Sequence, residues 1–256
     1  MRLTQRLRDV RNRFVDSFVS WRDRVRLRRL YGQNVTLVNF NESANEGSRW
    51  ATKRENTRLT VVVAAYHQVT ELDCLLKSFA CQTLQNFKVI VIHDGQHDET
   101  REVVKQNSLK FPGLFEYMET KERHNDYGHS LRSMGIEWAQ TEFVMLTNGD
   151  NYYAPRFVEF MFEAIDRGSL DVVLCDMVHS HLNPGYSIQR SYRFFRTRPF
   201  RHCVDIGSFI AKSEKSKKVG FRDKRADGDA TYFEDILGKT GPTTVGKVNK
   251  VLMVHN

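Results

Sequence analysis

Two short, predominantly apolar runs, Leu59 to Ala65 and Phe87 to Ile92, enclose a segment in which Leu72, Leu75, Leu76 and Phe79 recur at helical spacing. A strand without polar alternation is covered on both faces, and two such strands joined through a helix pair in parallel. This βαβ unit commits the chain to an α/β fold with helices on both faces of a central sheet. Thr70 with Asp73 is the expected N-cap of the connecting helix.

In open sheets of this kind, ligands bind outside the carboxyl ends of the strands. The second run ends in His93-Asp94-Gly95-Gln96-His97-Asp98-Glu99-Thr100, a turn with a carboxylate at Asp94 and an expected helix cap at Asp98. A third run, Glu142 to Leu146, passes through Thr147 into Asn148-Gly149-Asp150-Asn151, four positions before Pro155. Between them, Asn125-Asp126-Tyr127-Gly128-His129-Ser130-Leu131-Arg132 precedes a helix leading to Trp138 and Ala139. A strand that delivers Asp and Asn at its carboxyl end suits a hard cation and a phosphorylated ligand. The same Asn-Gly-Asp-Asn stretch is also an ordinary turn, and Asp94 a loop carboxylate ahead of a turn glycine.

In their order and placement, these elements resemble the family-2 glycosyltransferases of the nucleotide-diphospho-sugar transferase type. The family pattern is a strand, then D-D-G-S-x-D-x-T, a G-x-x-x-A-R-N helix, D-x-D-D-x-x-x-P and a late carboxylate. Here the matching stretches are His93 to Thr100, Gly128 to Ser133 and Asn148 to Asn151, and the resemblance covers about Arg58 to Asn256. It implies a single GT-A-type α/β domain with a Rossmann-like nucleotide-binding half and a mixed central sheet. It also implies an inverting transferase that moves a sugar from a nucleotide-diphosphate donor to a hydroxyl of a glycan, lipid-linked saccharide or similar acceptor.

The resemblance carries roles onto particular residues. Ala65, Tyr66, Asp94, Arg132, Asn148 and Gly149 would contact the nucleotide sugar, with Asp94 at the base edge, Asn148 at a ribose hydroxyl or metal-bound water, and Arg132 at the diphosphate. Asp150 would bind a divalent ion, Mn²⁺ or Mg²⁺, with His255 as a second metal or diphosphate contact. Imidazole suits Mn²⁺ better than Mg²⁺. Arg132 also reads as a solvated arginine on a helix face, and His255 as a residue of a free chain end. The first Asp of each acidic motif is replaced, by His93 and by Asn148. Affinity for the metal without nucleotide should therefore be poor, because Mg²⁺ commonly uses one or two carboxylates together with substrate phosphates.

Inverting transfer needs a base for the acceptor hydroxyl. The family places an acidic residue at the start of a late helix, which here falls in Arg225 to Asp235. Asp229, followed by Tyr232 and Phe233, fits the family spacing better than Asp227, which stays a rival; either also reads as a helix cap. A carboxylate stabilised by a helix N-terminus has a lowered pKa, which would weaken it as a base. The stretch from Asp176 through His179 and His181 to Asp205 and Gly207 lies where the acceptor should bind. His179 and His181, two apart and without a cysteine pair, do not make a zinc site. Arg190 to Arg196 meets an anionic or lipid-linked acceptor, or forms an edge strand with a solvated face.

The formal charge of +8 is confined to the amino-terminal part, since residues 1–58 hold 14 Lys and Arg against 6 Asp and Glu. Leu3, Leu7, Val10, Phe14, Phe18, Trp21 and Val25 mark one apolar face of a basic amphipathic helix over residues 1–31. Such a helix suits docking on the catalytic domain, self-association, or peripheral contact with an anionic membrane; the apolar stripe argues against nucleic acid. Residues 32–57 read as a linker with little regular structure, and 58–256 as the catalytic domain. Cys74, Cys81, Cys175 and Cys203 show no paired motif and read as small buried apolar residues. The charged amino terminus and the absence of a spanning apolar run give a cytoplasmic expectation. The alternative to an enzyme is a noncatalytic nucleotide-sugar-fold module that scaffolds an assembly through its first helix. A nucleotidyltransferase is disfavoured, because no glycine-rich, basic triphosphate loop follows the first strand.

Overall fold

The computed structural model describes residues 23, 25–38, 57–179 and 192–256. The expected βαβ unit opens the main sheet as β2 (Leu59–Ala65), α2 (Val69–Ala80) and β3 (Phe87–His93), followed by α3 (Asp98–Lys110), β4 (Phe115–Glu119), α4 (His129–Trp138) and β5 (Phe143–Asn148). The second half holds β6 (Tyr152–Tyr153), α5 (Phe157–Gly168), β7 (Val172–His179), β8 (Arg193–Phe195), β9 (Phe209–Lys212), α6 (Ser213–Val219), α7 (Gly228–Lys239) and β10 (Thr243–His255). With β1 (Val35–Val38) these strands form one ten-stranded sheet in the order β1-β10-β7-β9-β5-β2-β3-β4, with β6 on β10 and β8 on β7.

The sheet is mixed. β5, β2, β3 and β4 run parallel, and β9 is antiparallel to both β5 and β7. Every residue of β2 is buried, including the one polar residue, Thr60, whose hydroxyl lies 2.8 Å from Thr141 Oγ1. Register pairs Ala65 with His93 and Ala64 with Asn148, so the three strands end together at one edge. One core packs Leu72, Leu75, Leu76 and Phe79 of α2 against the sheet, together with Phe157, Met161 and Ile165 of α5. The opposite face takes Leu131 and Ile136 of α4 and Phe233 and Ile236 of α7.

Several local expectations need correction. α2 starts at Val69, with Gln68 as its N-cap because Leu72 N–H bonds Gln68 O at 2.8 Å; no side chain caps it, and Thr70 lies inside the first turn. α3 is capped by His97, whose ring accepts from Thr100 N–H, and Asp98 is its first residue, paired with Arg101. Residues 32–57 are not a linker throughout, since Val35–Val38 form β1, parallel to β10. Asp23 and residues 25–31 form the described part of α1. Leu27 is buried in the second core beside Val35, and the Arg26 guanidinium lies 4.2 Å from the Phe200 ring centroid. Helix and strand thus dock on the sheet, while the apolar stripe from Leu3 to Trp21 lies outside the described residues.

Cys74 and Cys81 are exposed rather than buried, because Cys74 falls on the outward face of α2 between Leu72 and Leu75; Cys175 is buried in β7 and Cys203 is half-buried. Within Arg190 to Arg196, Arg193–Phe195 take the edge-strand alternative and pair antiparallel with β7. Asp176 is withdrawn from any acceptor role by Lys247 Nζ at 2.6 Å and by Thr197 N–H at 2.8 Å, and His181 lies outside the described residues. No helix among the described residues is long and apolar enough to cross a membrane.

α4 approaches β2 as closely as glycine allows: a Cβ on Gly135 would stand 2.2 Å from Val62 Cγ1. Gly135→Ala is expected to cost about 1–3 kcal/mol of stability through overpacking, measured as a lowered denaturation midpoint. An unchanged midpoint would show that the helix is free to lift off the strand.

Candidate active site

A cleft of about 560 Å³ opens along the shared carboxyl edge of β2, β3 and β5. Of the residues singled out from sequence, Ala65, Tyr66, Asp94, Arg132, Asn148, Asp150 and Asp229 line it, whereas Gly149, Asp227 and His255 do not. Gly149 is buried behind the wall, its N–H bonded to Ala64 O at 3.2 Å.

At one end, Asp94 is buried to 6 % exposure and serves as an anchor. Its Oδ1 accepts His124 N–H at 2.7 Å and its Oδ2 accepts Asn125 N–H at 3.0 Å, which fixes the loop ahead of α4. Each carboxylate oxygen keeps a second lone pair for a ligand. The same loop places the Arg123 guanidinium 3.9 Å from the centroid of the Tyr66 ring, a cation–π contact that sequence reading missed.

Arg132 occupies the middle of the cleft. It is 3 % exposed, so the solvated-helix alternative fails. A buried guanidinium needs partners. Its Nη1 donates to Tyr127 O and to His129 Nδ1, both at 2.8 Å, and its Nη2 donates to Asn148 Oδ1. Arg132 Nε has no hydrogen-bond partner among the described residues. Gly128 makes this packing possible: its φ is +78°, and a Cβ there would stand 3.0 Å from Ala64 Cβ. His129 is equally buried, with Nε2 at 2.8 Å from Arg225 O. Because Arg132 can only donate, His129 Nδ1 accepts and Nε2 carries the proton. Burial, and then the charge of Arg132, hold this imidazole below its ordinary pKa and therefore neutral. The only signal for His129 in the sequence was its place directly after Gly128.

Asp229 lies in the first turn of α7, a third exposed, with Oδ1 3.7 Å from Arg132 Nη1 and 3.8 Å from His129 Nδ1. Those separations are too long for hydrogen bonds, and Oδ1 has none among the described residues. Burial raises its pKa above the ordinary value of 3.8, against the pull of Arg132 and with the push of Asp205. The lowering expected from the helix N-terminus is thus outweighed by desolvation. Asp227 is the N-cap residue of α7 without a side-chain cap bond, and instead faces out to pair with Arg201 Nη1 at 2.8 Å.

Asp150 lies at the turn after β5. Its Oδ2 accepts from Gln68 Nε2 at 3.0 Å, while Oδ1 is buried without a partner among the described residues. An orphaned carboxylate oxygen is the donor a hard divalent ion takes, so the residue fits the metal that the resemblance implies. Asp150 belongs to no group of three clustered His, Cys, Asp or Glu side chains among the described residues, and further donors would come from phosphate and water. His255 is no frayed end. It pairs in register with His179 and stacks on its ring at 4.5 Å, with Nε2 3.4 Å from Asp205 Oδ2. The next residue, Asn256, donates from Nδ2 to Asp150 O at 2.7 Å, which ties the end of β10 to the turn after β5.

Comparison with known proteins places this geometry. The profile of glycosyl transferase family 2 matches residues 60–222. The putative glycosyltransferase EpsH of Bacillus subtilis (strain 168) is 22% identical over 151 residues, 59% of this chain and 42% of EpsH. The chain thus spans less than half the length of that relative. Among solved structures, S. aureus TarS 1-349 in complex with UDP-GlcNAc superposes with a TM-score of 0.62 at 17% identity, covering 77% of this chain and 58% of that one. The mannosyltransferase PcManGT from Pyrobaculum calidifontis, in complex with GDP-Man and Mn²⁺, gives a TM-score of 0.60 at 16% identity over 82% of this chain and 60% of that one. At such identities the likeness establishes the GT-A-type fold.

The raised pKa of Asp229 has a consequence for stability. A carboxyl whose folded pKa exceeds its unfolded value favours the fold below the ordinary 3.8, and that contribution is lost as pH rises through the raised value. Asp229→Asn is therefore expected to raise Tm at pH 7, with the difference disappearing near and below pH 3.8. A lower Tm at pH 7 would mean that the carboxylate is stabilised, not strained, by its surroundings.

Proposed function

The chain belongs to glycosyl transferase family 2, and on that premise we propose that it transfers a sugar, with inversion, from a nucleotide-diphosphate donor to an acceptor hydroxyl. The observation that carries this reading is the convergence of Asp229, Arg132 and Asp150 on one cleft. These supply a base, a fixed cation and a free carboxylate oxygen, the three chemical needs of such a displacement. The neighbours TarS and PcManGT hold UDP-GlcNAc and GDP-Man on the same fold, which supports a donor of that class.

Tyr66, at the end of β2, and Arg123, on the loop that Asp94 anchors, form the nucleoside end of the cleft. Asn148 is oriented by Arg132 and offers its amide to the ribose. Arg132 meets the diphosphate as a guanidinium already stripped of water, so little reorganisation accompanies the growth of charge on the leaving oxygen. Asp150 would hold the divalent ion, which when bound neutralises diphosphate charge. The acceptor oxygen attacks the anomeric carbon from the side opposite the diphosphate. A carbon–oxygen bond forms, the bond to the diphosphate oxygen breaks, and the hydroxyl proton passes to Asp229. A raised pKa makes Asp229 a stronger base than an exposed aspartate. Asp227, turned outward to Arg201, is not needed for this chemistry.

Calorimetric titration with UDP, GDP, CDP and dTDP, each with and without Mn²⁺, tests the reading. One diphosphate should bind in a Mn²⁺-dependent manner, and Asp150→Ala should abolish that dependence. Asp229→Asn should keep the binding and lose about a hundredfold to ten-thousandfold in turnover, the usual contribution of a general base. If a folded sample binds none of the four, the reading gives way to the noncatalytic module.

A further inference from the structure

Three imidazoles meet beside the cleft but outside its lining. His67 follows β2, His93 ends β3 and His97 caps α3, and their candidate ligand nitrogens all lie within 4.8 Å of one another. The His93 and His97 rings are stacked with centroids 4.9 Å apart, and His67 stands edge-on to His97 at 4.7 Å. Apolar packing does not explain the group, because His67 is exposed and His97 half-buried; only His93 is fully buried.

Two further features suit a metal. Metal-ligating histidines usually anchor their second nitrogen on a hydrogen-bond acceptor. His93 Nδ1 lies 2.9 Å from Gly95 O and so donates to it, leaving the lone pair on Nε2. His97 Nδ1 accepts from Thr100 N–H at 3.3 Å and lies 2.8 Å from Thr100 Oγ1; binding an ion through Nε2 moves the ring proton to Nδ1, where Thr100 Oγ1 accepts it and the cap bond from Thr100 N–H is given up. His67 reaches the group through a left-handed backbone at φ +56°, a conformation that side chains rarely adopt.

We propose that His67, His93 and His97 form a three-histidine site for Zn²⁺ or a similar borderline transition ion, with a fourth position open to water. It differs from the Asp150 position in ligand type: nitrogen donors select transition ions, carboxylate and phosphate oxygens select Mg²⁺ or Mn²⁺. Tetrahedral bonds of about 2.0–2.1 Å hold ligand nitrogens roughly 3.3 Å apart, so the rings close in on binding. The 3.2 Å contact from His67 N–H to His93 Nε2 is then given up to the ion. Because His67 adjoins Tyr66 and His93 adjoins Asp94, an ion here would couple the two strand ends that carry the nucleoside end of the cleft.

The test uses the full chain, stripped of metal and titrated with Zn²⁺ alone, without nucleotide. One equivalent should bind with a rise in Tm, and Co²⁺ in its place should give the intense visible absorption of a tetrahedral site. His67→Ala, at an exposed position, should leave the metal-free Tm unchanged, weaken Zn²⁺ binding at least tenfold and remove the cobalt bands; His97→Asn should do the same. Asp150→Ala should retain binding, which separates this site from the diphosphate metal. Absence of stoichiometric binding, binding unaffected by His67→Ala, or binding lost instead with His255→Ala would each overturn the assignment.

Discussion

The organisation of this protein depends on the complete burial of β2 between two parallel neighbours. With no face of that strand open to water, β3 and β5 must flank it and helices must cover both sides of the sheet. Parallel register then brings three carboxyl ends to one edge, and the polar residues that follow each strand converge there. Tyr66 and His67, Asp94, and Asn148 to Asp150 are neighbours for this one reason. The fit of α4 against β2 at Gly135 belongs to the same constraint, since it brings the start of that helix, and with it Arg132, over the strand ends.

Within the cleft the decisive term is desolvation. Arg132 is stripped of water and held by Tyr127, His129 and Asn148, so a full positive charge stands fixed before any ligand arrives. The same low-dielectric surroundings keep His129 neutral and raise Asp229. Arg132 and Asp229 approach to 3.7 Å without bonding. The cation does not pull the carboxyl down far enough to cancel burial, which leaves a proton acceptor next to a cation in one cleft. The substitution of the two leading acidic residues of the family pattern fits this balance. Asn148 accepts from Arg132 as a neutral amide, and His93 enters a cluster of imidazoles.

The sequence was legible where one local pattern allowed one outcome. Leu59–Ala65 occurs as expected, and Leu72, Leu75, Leu76 and Phe79 are the buried face of α2. Helix caps were less legible: Gln68 and His97 replaced Thr70 and Asp98, because the cap depends on where the chain leaves the preceding strand. β1 was missed within a polar stretch, since its stability comes from pairing with β10 some two hundred residues later, a contact without local signature. Cys74 and Cys81 were misjudged because burial on a helix depends on its rotation against the sheet.

By itself, the sequence determined the α/β class, the parallel strands, the positions at which chemistry-bearing residues leave them and, through motif order, the family. These follow from periodicity and from backbone rules that act over a few residues. Only the tertiary structure decided that Arg132 is buried, that Asp94 anchors a loop, that Asp229 and not Asp227 faces the cleft, and that His67 after β2 meets His93 and His97 of the β3–α3 turn. Each of these is a matter of desolvation and distance between segments far apart in the chain, and neither quantity exists until the sheet has formed.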